Sequence, residues 1–202
     1  MKFRPADFLY FCFLGLLGCA CVRNTPPTDF YLLNANPHNT TPSDRDLSPS
    51  RVVGLGPLHI PEYLNRPQMV YEIATNQFRL DEQHRWAERL DQNVARALTL
   101  SLSTQLTPTR ILPHPWPSRD KIDYQIAIEI LKFHQSADGF SRFTAQWTLK
   151  QAHDTLDSRW FECDRKLSDL NFSAFVQSQN ECLAELSSEI SGALRNRMQA
   201  EK

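Results

Sequence analysis

The chain has 202 residues, with 22 Lys plus Arg against 23 Asp plus Glu and 41% hydrophobic residues, the make-up of one ordinary globular domain. A formal net charge of −1 leaves no basic excess to condense on a phosphate backbone, which argues against nucleic acid as a partner. Aromatic and branched apolar residues run through the sequence after residue 50, enough to bury a core, and this excludes a wholly disordered chain.

The first element in chain order is an address. Lys2 and Arg4 precede an uncharged, largely apolar run from Phe8 to Gly18, the pattern of a secretory signal peptide. A membrane-spanning helix needs about 20 apolar residues. This run is followed by Arg23, Asn24 and Thr25 and falls short of that length. It ends in Leu16-Leu17-Gly18-Cys19, which resembles the bacterial lipobox: an apolar residue three before the cut, a small one beside it, and then Cys. Only a thiol takes diacylglycerol as a stable thioether, so residues 1–18 are expected to leave as a lipoprotein signal peptide and Cys19 to be acylated. Each buried methylene contributes about 0.8 kcal/mol, so several acyl chains would anchor the protein far more firmly than one. Ala20, rather than Asp, follows Cys19, a sorting pattern that implies the outer membrane, periplasmic face. The mature chain from Cys19 has 184 residues with 20 basic and 22 acidic groups, so charge gives it no membrane affinity of its own.

Residues 19–50 read as a lipidated tether rich in Pro, Thr, Asn, Ser and Asp, with one short docking strand at Phe30-Tyr31-Leu32-Leu33. Residues 51–202 read as the folded domain. Arg51 to Leu58 is extended and enters a Pro-punctuated turn that ends at Pro67. Met69 to Thr75 and Gln77 to Leu80 form a hairpin across Asn76. Trp86, Leu90, Val94, Ala97, Leu98, Leu102 and Leu106 recur at steps of three and four, which predicts an amphipathic helix. Asp81 and Glu82 are expected to complement its dipole near the start, Arg85, Glu88 and Arg89 to pair along its wet face, and Pro108 to close it.

Alternation from Tyr124 to Leu131 and from Phe143 to Lys150 predicts two strands joined at Asp138-Gly139, with a third from Thr155 to Cys163. A last helix carries Phe175, Gln179, Cys182, Leu186, Ile190 and Ala193 on one face. The fold class is therefore α+β: a mostly antiparallel sheet with two amphipathic helices packed on one face, preceded by the tether. Cys163 and Cys182 are the candidate disulfide pair, stapling the last helix to the sheet, with two buried free thiols as the alternative.

Chemistry is hard to find. Six His residues show no metal-ligand spacing, there is no CxxC and no GxSxG, and Gly54-Leu55-Gly56 is followed by Pro57 rather than by a helix. Neither a metal nor a cofactor is expected, and an enzyme is not. The turn instead places Leu58, Ile60, Tyr63 and Leu64 in a loop, where apolar side chains are wet unless a partner covers them. Folding back under the sheet is the alternative.

At these residues the sequence resembles the PqiC (YmbA) family of ABC-type transport auxiliary lipoproteins. The likeness is carried by the lipobox, by Phe30 to Leu33, by Val52 to Pro57 with Ile60 to Val70, by Arg85-Trp86-Ala87-Glu88-Arg89-Leu90, and by Trp147. Asn65 stands where the family often has Asp, Arg89 where Pro is common, and the Cys163/Cys182 pair is a further departure. The resemblance implies a non-catalytic part of an envelope-spanning lipid transport system, in which an MCE-domain tunnel protein from the inner membrane is received at the outer membrane. It also implies a ring-shaped homo-oligomer. Leu58, Ile60, Tyr63, Leu64, Arg66 and Pro67 are then the expected partner-binding residues. The alternative is an outer-membrane assembly lipoprotein resembling LptE, which plugs a β-barrel.

Overall fold

The computed structural model describes residues 26–34, 51–117 and 121–201. The signal segment, Cys19 and most of the expected tether lie outside them. In chain order the elements are β1 (Asp29–Tyr31), β2 (Val52–His59), β3 (Gln68–Ala74), β4 (Gln77–Trp86), α1 (Leu90–Gln105), β5 (Arg110–Pro113), β6 (Tyr124–Gln135), β7 (Phe140–Gln151), β8 (Asp154–Lys166) and α2 (Phe172–Ala200). All eight strands join one sheet.

The alternation read in β6 and β7 is what builds it. Tyr124, Ile126, Ile128 and Ile130, with Phe143, Ala145, Trp147 and Leu149, are all buried on the face that carries the helices. Antiparallel ladders join β6 to β7 and β7 to β8, with Gly139 at φ 83° in the turn between β6 and β7. On its other edge β6 has two parallel neighbours in succession: β2 along Tyr124 to Glu129, and β3 at Gln135. β5 extends the sheet beyond β2 and β1 beyond β4, both in parallel. The long ladders are thus antiparallel, and parallel pairings attach the shorter strands.

α1 and α2 pack against each other and on this one face, so the core is continuous from Leu33 through Val94, Leu98 and Trp147 to Leu186 and Leu194. A polar seam runs between the two helices. Gln105 Nε2 donates to Ser101 Oγ (3.1 Å) and Ser187 Oγ (3.0 Å), and Ser191 Oγ donates back to Gln105 Oε1 (2.7 Å). Small serines let the helices approach while every partner in the set is satisfied. Asn171 caps α2, its Oδ1 accepting from Ala174 N at 2.8 Å.

The first predicted helix begins later than its spacing implies. β4 runs on to Trp86, and the helix starts only at Leu90. Asp81 and Glu82 are therefore strand residues and complement no dipole; Asp91 is the acidic residue of the first turn. Asp81 Oδ1 instead accepts from the backbone N–H of Gln83 and of His84 (2.9 Å each), holding a bulge where the β3–β4 register jumps. The charges pair differently as well: Arg85 with Glu82 (2.5 Å), Glu88 with Arg96 (2.8 Å) and Arg89 with Asp91 (2.8 Å). β5 is an element the sequence reading missed.

Cys163 on β8 and Cys182 on α2 are bridged across a Cα–Cα distance of 5.8 Å with 19 residues of separation. A loop of that size should raise stability by about 3 kcal/mol through the unfolded chain. The double change Cys163→Ala/Cys182→Ala is expected to lower the unfolding free energy by roughly that amount in a urea titration, with non-reducing peptide mapping showing the bridge in the parent chain. Gly56, at φ 130°, would bring an added Cβ to 2.4 Å from His114 Cβ. Gly56→Ala should therefore destabilise by about 2 kcal/mol or more, read in the same titration.

Candidate functional site

The turn after β2 is the first feature to place. Leu64 N donates to Pro61 O (2.9 Å), Asn65 N to the same carbonyl (3.1 Å) and Arg66 N to Leu64 O (2.9 Å), a tight fold rather than an open loop. Because β2 and β3 lie along one edge of β6, the turn that joins them is laid against that edge. Leu64, only 2% exposed, belongs to the core. Leu58 is on β2, and with Ile60 and Tyr63 it packs partly buried against the core. Of the two readings of these four apolar side chains, Leu64 takes the folded-back one fully and the other three in part: a hydrophobic residue next to an unfilled strand edge gains by closing it. Arg66 is half-buried and Pro67 exposed.

The surface that remains gains two residues that sequence reasoning missed. Phe78 and Leu80 on β4 are 39% and 43% exposed, and the Phe78 ring lies 5.2 Å from that of Tyr63. Directly opposed residues point to the same face of a sheet. Leu80 opposes Val70 and Phe78 opposes Glu72, alternating with Met69, which is in the core, so Phe78 and Leu80 lie on the face away from the helices. The sequence signal was available, as both follow the Asn76 turn two residues apart.

Beneath this pair lies His134, which is 4% exposed and stands edge-on to Phe78 at 5.1 Å. Its Nδ1 is covered and has no hydrogen-bond partner. Burial holds the imidazole below its ordinary pKa; the Glu72 carboxylate opposes that shift, and Lys132 and Arg142 reinforce it. Tyr63 is pushed the other way, its phenol raised by burial and by Glu72.

Elsewhere on the open face, Gly54 seats the ring of Trp116, to which an added Cβ would come within 3.0 Å. The Gly-Leu-Gly run thus serves close packing, with Trp116 over Gly54 and His114 against Gly56. The docking strand is held firmly. Leu33 is fully buried, its N–H donates to Asn93 Oδ1 (3.0 Å), and its carbonyl accepts from Arg96 Nη2 (3.2 Å). His84 stands between Asp81 (2.8 Å) on its own strand and Asp29 (3.9 Å) on β1. Among the described residues no group of three or more His, Cys, Asp or Glu could hold a metal ion, and no helix is long and apolar enough to cross a membrane. What this arrangement offers is a docking surface with aromatic and apolar contacts over a buried imidazole, and a clamped leader strand.

The model of a protein family described as the ABC-type transport auxiliary lipoprotein component matches residues 31–191. No curated protein matches the chain significantly. Among solved structures, an uncharacterized protein superposes with a TM-score of 0.68 at 20% identity, over 84% of this chain and 99% of its own. A Xanthomonas campestris protein of the DUF330 family gives a TM-score of 0.64 at 12% identity, over 87% and 98%. At such identities the likenesses establish the α+β architecture.

His134 makes the seat of Tyr63 and Phe78 sensitive to acid. Its folded pKa lies below the roughly 6.5 of an exposed imidazole, so the unfolded chain binds more protons between the two values. That contribution to stability is complete above about pH 6.5 and is lost as pH falls toward the folded value, at up to about 1.4 kcal/mol per pH unit. His134→Phe should flatten this limb: unfolding free energies measured at pH 7 and pH 5 are expected to differ less in the variant than in the parent chain.

Proposed function

The chain belongs to the family of ABC-type transport auxiliary lipoprotein components, and from that premise we propose that it is the outer-membrane lipoprotein subunit of an envelope-spanning lipid transport system. Acylated Cys19 holds it on the periplasmic face, and the domain docks an MCE-type tunnel protein, as one member of a ring of identical subunits. Its part in transport is non-catalytic. The observation that carries this reading is the family match across nearly the whole folded domain, together with the lipobox ending at Cys19.

The structure suits the task physically. A lipid anchor is useful to a docking subunit only if the tether is tied to the domain, and Leu33 supplies that tie: burying a Leu side chain contributes about 1.5–3 kcal/mol beyond its two hydrogen bonds to α1. The partner contact is assigned to the outer side of the turn. There Tyr63, backed by Phe78, and exposed Pro67 remain accessible, with Ile60 and Arg66 half-buried at the border and Leu58 and Leu64 supporting them from below.

Leu64 is unsuited to a test because a charge at a core position unfolds the domain. The double change Tyr63→Asp/Pro67→Asp is expected to leave folding intact and to reduce retention of the tunnel protein in co-purification about tenfold, equivalent to roughly 1.4 kcal/mol. Undiminished recovery of the partner by the variant would remove the turn from the interface. Recovery of a β-barrel protein in place of an MCE protein would favour the assembly-lipoprotein alternative.

A further inference from the structure

We infer that the domain makes a second contact with the bilayer through its own side chains, with Phe30, Leu32 and Leu80 seated in the interfacial layer of the membrane that holds Cys19. The inference rests on the lipoprotein reading above and adds to it an orientation for the domain.

Phe30 and Leu32 are 64% and 51% exposed, among the most exposed large apolar residues described. They cannot turn inward, because the inward positions of this segment are already filled: Leu33 is clamped by Asn93 and Arg96, and Tyr31 packs against His84. Register places Leu80 on the same face as Phe30. Phe30 opposes Arg85, which opposes Gln68, while Leu80 opposes Val70, and Gln68 and Val70 are two residues apart on β3. The outcome is an interrupted apolar stripe along the β1–β4 edge of the sheet, with Gln68 and the ion pair of Arg85 and Glu82 between Phe30 and Leu80. Among the described residues β1 pairs with β4 alone and ends the sheet, a position where an exposed Phe is a liability unless something covers it.

Chain length decides what covers it. Phe30 follows Cys19 by eleven residues. Eleven residues, even fully extended, reach no farther than about 40 Å. Once Cys19 is in the bilayer, the stripe is confined to the lipid surface at a high effective concentration, so even a weak intrinsic affinity seats it. Charge does not compete for the role, since the mature chain is close to neutral. The acyl chains then set affinity, and the stripe sets which side of the sheet faces the lipid.

The test uses the full acylated chain in vesicles of phosphatidylethanolamine and phosphatidylglycerol, the latter carrying a photoreactive diazirine near its glycerol. Labelled peptides are mapped by mass spectrometry. Label is expected on the segments holding Phe30–Leu32 and Leu80, and not on Leu100 of α1, which is 41% exposed on the other side. Phe30→Glu/Leu32→Glu should reduce label at these segments by about fivefold or more with tunnel-protein retention unchanged, as exposed positions tolerate the change. Label confined to residues before Pro26, or dominant at Leu100, would overturn the contact, as would zero-length cross-links from these segments to a second copy of the chain. The mass of the N-terminal peptide reads the anchor separately: acylated Cys19 without label on the stripe refutes this inference alone, whereas a bare Cys19 thiol refutes the lipoprotein reading and the inference together.

Discussion

One irregularity in β6 governs how the two halves of the sheet meet. Between Ile130 and Lys132 the pairing with β7 slips, and the alternation of side chains changes phase. Up to Ile130 the even-numbered residues face the helices. After it, Phe133 enters the core, where its ring meets those of Trp86, Phe143 and Phe175, and His134 goes to the open face. The strand can therefore serve β2 along its first half and still carry an aromatic into the region where β4, β7 and α2 converge. Without the slip, His134 would stand among Trp86 and Phe175, and Phe133 would stand under Tyr63.

The same phase change explains why the turn after β2 is ordered. β2 leaves the edge of β6 near Glu129 and β3 reaches it at Gln135, so the chain between them must travel alongside the bulge. A segment with three prolines from residue 57 to 67 has few conformations to lose, and Leu64 gives it a side chain to bury. The aromatic surface of Tyr63 and Phe78 thus rests on a cover that two strands and a bulge fix in place. A docking surface on rigid elements gives up little entropy when a partner arrives.

Much of the fold was legible because its core strands keep a strict period of two and its last helix a clean apolar stripe. The turns at Asn76 (φ 63°) and Gly139 were legible because only a few residue types take positive φ cheaply. What failed has a physical cause. β4 carries Asp81-Glu82-Gln83-His84-Arg85 with a bulge inside it, so no alternation survives. Trp86 then stands four residues before Leu90 and imitates one more turn of the helix. β5 is four residues long, too short to show any period. In β6 the alternation holds only to Leu131, where the phase slips. For the candidate surface, the turn was legible from its composition, but the burial of Leu64 and the arrival of Phe78 and Leu80 depend on pairing between distant strands, which no local pattern encodes.

The distribution of polar groups bears on what kind of protein this is. Buried polar side chains in the helix pair serve the seam around Gln105, and Gln179 donates to Ser141 Oγ and Arg142 O, joining α2 to β7. Asn93 and Arg96 hold the leader strand, and Asp81 holds a bulge. Each such group is engaged in fixing one element against another, where loss of a partner would leave an unsatisfied buried atom. His134 Nδ1, like Ser178 Oγ and Gln179 Oε1, has no hydrogen-bond partner among the described residues, and its ring lies against that of Phe78 on the open face. The polar groups named here are committed to internal fixation, whereas Phe30, Phe78 and Leu80 are left exposed on the open face of the sheet, where only a second surface would cover them.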